Sequence, residues 1–79
     1  ELGNSLSFYP NPAKGEVSLL NAGGTIKRIE VYTSTGQLVK EIQLAPKLRV
    51  FSIADLRSGM YFIVVRFEDQ IQSGRLVIE

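Results

Sequence analysis

Glu68 and Asp69 are the closest pair of carboxylates in the chain, and two carboxylates flanking a cleft could do general acid–base work. Adjacent residues on a strand point to opposite faces, however, and this pair falls where a hairpin turn is expected, so a solvated turn is the better reading. The chain has no histidine and no cysteine. A Ser-His-Asp arrangement, a His proton shuttle, a disulfide and the usual His or Cys zinc sites are therefore excluded. Calcium needs several oxygen ligands converging from one loop, whereas Asp55 and Asp69 stand alone and no Asp-x-Asp pattern occurs. Gly23–Gly24 leads into the strand-like Thr25–Ile26 and not into a helix N-terminus, which argues against a phosphate cradle. No catalytic, metal or cofactor site is expected.

The seven aromatic residues, Phe8, Tyr9, Tyr32, Phe51, Tyr61, Phe62 and Phe67, could form a sugar-stacking platform, but a chain of 79 residues needs their mass to build a core. Nine basic residues stand against eight acidic ones, scattered along the chain from Lys14 to Arg75, so there is no stripe to attract nucleic acid. The longest apolar runs, such as Met60–Val65, fall far short of the ~20 residues that cross a bilayer. The chain opens at Glu1 and its single methionine is Met60, so a single domain cut from a longer precursor is expected.

The elements that must carry any function read as strands. Apolar residues alternate in short runs between Gly, Pro, Asn and Ser clusters, and no stretch keeps helical spacing. Strands are expected at Leu6–Tyr9, Glu16–Leu20, Ile26–Thr33, Gln37–Leu44, Leu48–Ile53, Met60–Phe67 and Gln70–Ile78. Seven such strands predict an all-β, antiparallel, Ig-like β-sandwich. Pro10 and Pro12 lack amide donors, which should end the first strand at Tyr9. Gly23–Gly24 and Ala45–Pro46–Lys47 mark breaks, and Ser34–Thr35–Gly36 has the form of a short hairpin loop whose last residue is left-handed. In Asp55–Leu56–Arg57–Ser58–Gly59, Leu56 should plug the end of the core while Gly59 takes a positive φ. Ser73–Gly74 is expected to form a bulge in the last strand.

In the sixth strand Tyr61, Ile63, Val65 and Phe67 make a fully apolar face that should point inward. Met60, Phe62 and Val64, on the other side, are apolar enough to need cover from a loop or a partner.

Three motifs in order, Tyr9-Pro10-Asn11-Pro12, Val31-Tyr32-Thr33-Ser34-Thr35-Gly36-Gln37-Leu38-Val39 and Leu56-Arg57-Ser58-Gly59-Met60-Tyr61, resemble the C-terminal sorting domains of the bacterial type IX secretion system. The resemblance runs from about Phe8 to Ile78. It implies an Ig-like domain at the C-terminus of cargo that enters the periplasm of a Gram-negative bacterium and is passed by an outer-membrane translocon to the cell surface. It further implies N-terminal cargo domains in the same precursor, cleavage by a sortase-like cysteine peptidase, and transfer of many cargoes to anionic lipopolysaccharide. Arg75-Leu76-Val77-Ile78 fits the first part of the family's basic, aliphatic, basic ending, whereas Glu79 stands where lysine is common.

The expected signal is the last hairpin, with Arg75, Leu76, Val77, Ile78, Glu79, Met60 and Phe62 as recognition candidates. Strand addition to an exposed terminal strand is one physical route. Tyr9, Pro10, Asn11, Pro12, Gly36, Leu56, Gly59 and Tyr61 are assigned to the fold. The competing reading is a retained Ig-like surface module that binds lipopolysaccharide or glycan.

Overall fold

The computed structural model describes residues 6–20, 24–43 and 48–79. They form seven strands: β1 (Ser7–Lys14), β2 (Glu16–Leu20), β3 (Ile26–Thr33), β4 (Leu38–Gln43), β5 (Val50–Ser52), β6 (Gly59–Phe67) and β7 (Ile71–Ile78), with no helix among the described residues. The breaks expected at Gly23 and at residues 45–47 lie outside the described residues. The fourth and fifth strands are shorter than their apolar patterns suggest.

Two sheets are built. β4, β3, β6 and β7 form an antiparallel four-stranded sheet, and β1, β2 and β5 an antiparallel three-stranded one. They are joined where β1 meets β7 in parallel, with Ala13 opposite Ile78, giving the order β4-β3-β6-β7-β1-β2-β5. This parallel pair departs from a wholly antiparallel arrangement. It arises because the first and last strands run in the same direction beside each other.

Alternation explains the core. On β6, Tyr61, Ile63, Val65 and Phe67 are buried, as their spacing predicts, and they join Ile29 and Val31 of β3 and Leu76 and Ile78 of β7. Phe8, Ala13, Val17, Leu19 and Phe51 of the other sheet complete the same cluster. Each fully buried aliphatic side chain contributes about 1.5–3 kcal/mol. Ile26 and Ile29, three residues apart, would lie on opposite faces of a regular strand. A bulge solves this, since Ile26–Lys27–Arg28 faces only Phe67 and Arg66 and both isoleucines reach the core.

The turns follow local chemistry. Thr33, Gly36 and Gln37 close the β3–β4 hairpin with Gly36 N–H donating to Thr33 O at 2.9 Å, and Gly36 sits at φ +95°. Leu56 packs against the core from the 53–58 turn, where the Tyr61 hydroxyl donates to Arg57 O at 2.7 Å.

Three local expectations are corrected. The first strand does not end at Tyr9 but continues through Pro10 and Pro12, each preceded by a cis peptide, to Lys14. It survives because the prolines lie where β1 leaves β2 and crosses to β7, so the missing amides interrupt no single continuous ladder. Ser73–Gly74 is not a bulge, since the β6–β7 register runs unbroken from Gly59↔Ile78 to Arg66↔Ile71. Gly74 is needed instead where the chain at Leu6 crosses the strand.

Finally, the last strand is not an edge. β7 lies between β6 and β1, and the outermost strands of the order are β4 and β5.

Candidate functional site: the outer face of the last hairpin

Asn11 explains why two prolines can flank the last strand. Its amide nitrogen donates to Arg75 O at 3.2 Å, and its carbonyl oxygen accepts from Val77 N–H at 3.0 Å. A side-chain amide thus stands in for the backbone amide that neither neighbouring proline can supply. Leu6 N–H donates to Ser73 O and Glu79 N–H to Ala13 O, both at 2.9 Å. On the side away from β6, β7 is therefore tied at residues 73, 75, 77 and 79. A partner strand cannot add there without displacing these contacts, and the strand-addition route is closed on the physical ground that its hydrogen-bonding groups are in use.

Asn11→Ala removes two hydrogen bonds worth about 0.5–1.5 kcal/mol each. The melting temperature should fall by roughly 4–8 °C per kcal/mol lost in a domain of this size. Amide exchange should quicken most at Val77, whose donor loses its acceptor; unchanged protection there would contradict the clamp.

What β7 leaves accessible is consequently its outward side chains. Register places them in rows with those of β6 and β3: Met60 opposite Val77, then Tyr32, Phe62 and Arg75, then Glu30, Val64 and Ser73, and lastly Arg28, Arg66 and Ile71. Met60, Phe62 and Val77 are each about 40% exposed, with values of 41%, 39% and 40%. Arg75 is exposed beside them, and its side chain makes no ion pair among the described residues. Leu76 and Ile78, also recognition candidates, point into the core, so their part is to hold the strand. Glu79 is exposed. Tyr9, grouped with the fold motif by sequence, is 67% exposed and lies outside the buried core.

The other half of this face is polar. Glu30 is buried, with Arg28 Nε 2.8 Å from its Oε2, Arg66 Nε 3.2 Å from its Oε1, and the Tyr32 hydroxyl donating to Oε1 at 2.9 Å. Both Nε atoms are inaccessible, and neither N–H is aimed well enough for a hydrogen bond, so the two arginine contacts are chiefly ion pairs. Burial alone would raise the Glu30 carboxyl, but the contacts with Arg66 and Tyr32 and the charges of Arg66 and Arg28 outweigh it and hold the group below its ordinary range. The bond to Glu30, followed by burial, raises the Tyr32 hydroxyl. Sequence reasoning missed this cluster. Its signal was there in Arg28, Glu30 and Tyr32, spaced by two on one strand face.

Glu68 and Asp69 are exposed in the 67–70 turn, and Glu68 lies 3.6 Å from Lys27. Asp55 pairs with Lys40 of β4 at 3.1 Å. Among the described residues no group of His, Cys, Asp and Glu is placed to hold a metal ion, and no helix is long and apolar enough to cross a membrane.

The sequence profile of the secretion system C-terminal sorting domain matches residues 7–79, nearly the whole chain. The chain belongs to that family. It is a type IX C-terminal sorting signal, and the family is not catalytic. A similar segment occurs in Beta-agarase A of Zobellia galactanivorans, 32% identical over 73 residues. That alignment takes in 91% of this chain and 13% of the agarase, so the sorting domain spans only a small part of the relative's length. Family membership leaves the retained glycan-binding reading without support of its own.

Proposed function

We propose that the type IX machinery reads the folded sorting domain through side chains on the outer face at the open end of β6 and β7: Met60, Phe62, Arg75 and Val77, with Glu79 at the margin. The reading is supported by one observation above the others. Two register rows place three half-exposed apolar side chains around an unpaired arginine, on strands whose backbone groups are occupied. Apolar patches of this kind, rimmed by a charge, mark interaction surfaces.

In this reading the domain is an Ig-like sandwich carried at the end of a precursor with N-terminal cargo. It crosses the periplasm folded and engages the outer-membrane translocon. A sortase-like cysteine peptidase then cleaves on its N-terminal side, and cargo is retained at the surface on anionic lipopolysaccharide or released. The two sheets around one core support the sandwich. The family supports the translocon and cargo.

The test is a reporter fused ahead of the domain and carrying Met60→Ser, Phe62→Ser and Val77→Ser together, with Arg75→Glu made separately. Both variants should keep a cooperative unfolding transition, since the side chains are half exposed, and both should accumulate in the periplasm. Surface delivery at the parent level by a folded triple variant would overturn the assignment of this face.

A further inference from the structure

The bulge in β3 brings both Ile26 and Ile29 to the core. Beside it, at that end of the sheet, lies a half-open cavity of about 330 Å³ lined by Lys27, Arg28, Gln43, Arg66 and Phe67. Three of the five residues are cations, one is an amide and one is an aromatic ring; no carboxylate lines the space. The acids that balance these cations hold them from outside the lining. Glu30 takes Arg28 and Arg66 at Nε, Glu41 lies 3.5 Å from Arg28 Nε, and Glu68 lies 3.6 Å from Lys27.

We propose that this cavity is a binding site for a phosphomonoester. Arg28 and Arg66 are directly opposite each other across β3 and β6, and two guanidinium groups in that position would repel unless an anion lay between or beside them. Glu30 supplies one such charge from the buried side, ion-paired with both groups at Nε. A guanidinium carries five N–H donors, so most of each fork is left for a second anion on the open side. A phosphomonoester brings nearly two negative charges and three acceptor oxygens, which suits two guanidinium forks, an ammonium and an amide. The space is larger than a bare phosphate needs, which leaves room for the organic body of the ligand, while Phe67, its side chain packed in the core, closes the inner side. The site lies at the opposite end of the outer face from Met60, Phe62 and Val77, and it does not depend on how that end is read.

The experiment is a titration of the 79-residue chain, followed by amide and side-chain NMR shifts, with inorganic phosphate, glucose 1-phosphate and glucose, each against sodium chloride at matched ionic strength. Vesicles containing phosphatidic acid form a further arm that separates a lipid headgroup from a soluble ester. The expected result is saturable shifts confined to residues 27, 28, 43, 66 and 67, tighter for glucose 1-phosphate than for phosphate and absent with glucose. Lys27→Gln removes one cation without touching Glu30 and should weaken binding about three- to tenfold, the loss that accompanies one charge-assisted contact. Glu41→Gln removes the competing carboxylate and should tighten it. Shifts no larger than the salt control, or an affinity that neither variant changes, would overturn the proposal.

Discussion

Gly74→Val is expected to leave the sorting domain largely unfolded at physiological temperature. A Cβ at this position would lie 2.6 Å from Leu6 O and 2.7 Å from Phe8 Cε2, both inside van der Waals contact. The nearest obstacle is backbone, and it cannot step aside cheaply because Leu6 N–H is bonded to Ser73 O beside it. Gly74 stands opposite Ile63, on the buried side of β7, so the added methyls have no route to solvent. Overpacking of this kind costs about 1–3 kcal/mol for a small increment, and more when backbone must move. A domain this size holds only about 0.05–0.15 kcal/mol of stability per residue. Gly74→Ala should therefore lower the melting temperature by ten degrees or more, at roughly 4–8 °C per kcal/mol, and valine should abolish a cooperative transition. Ser73→Ala, on the exposed neighbour, is the control and should melt like the parent. A cooperative Gly74→Val melt within a few degrees of the parent would show that β1 does not pass where it is described.

Glu30→Gln should have the next largest effect, and its size should depend on pH. Removing the charge leaves Arg28 and Arg66 opposed across β3 and β6 with a neutral amide between them. Breaking a fully buried pair costs about 3–5 kcal/mol; here both arginines keep over a third of their side-chain surface, so about 1–3 kcal/mol is expected. The carboxyl is held below its ordinary range in the folded protein. Its contribution is then fully present above the unfolded value and is lost as pH falls through the lower folded value. Urea unfolding of parent and variant should differ most near neutral pH, the difference should begin to shrink near about pH 4, where an ordinary Glu takes up its proton, and the two should converge only below the lower folded value. A difference that stays constant down to acid pH would mean that the charge on Glu30 contributes nothing.

The first variant tests a feature that sequence reading assigned wrongly and the second one that it missed, for a common reason. Gly74 looks in sequence like a strand-weakening bulge residue, because Ser-Gly inside an apolar alternation is a local signal. What demands glycine is a segment 68 residues earlier passing over it. Glu30 looks like one more solvated charge on an alternating strand, because its partner Arg66 lies on β6 and only pairing brings them together. Tyr9-Pro10-Asn11-Pro12 reads as a strand end for the same reason. The prolines' missing amides are visible in the sequence, whereas the rescue by the Asn11 amide requires β7 alongside.

The exposed end of the last hairpin shows the division most plainly. Alternation alone determined that Tyr61, Ile63, Val65 and Phe67 form the buried face and that Met60 and Phe62 lie opposite, because a strand has a period of two and water penalises the wrong side. The same local logic placed Gly36 and Gly59 at positive φ, since short turns impose backbone angles that only glycine adopts freely. The three motifs, taken together, also carried the family. Sequence could not decide that β7 is interior. Strand order is set by which segments meet through long-range pairing, and a strand looks alike in sequence whether or not a neighbour covers its edge. The tertiary structure alone closed that edge with β1, turned Leu76 and Ile78 inward, and left Arg75 and Val77 exposed beside Met60 and Phe62.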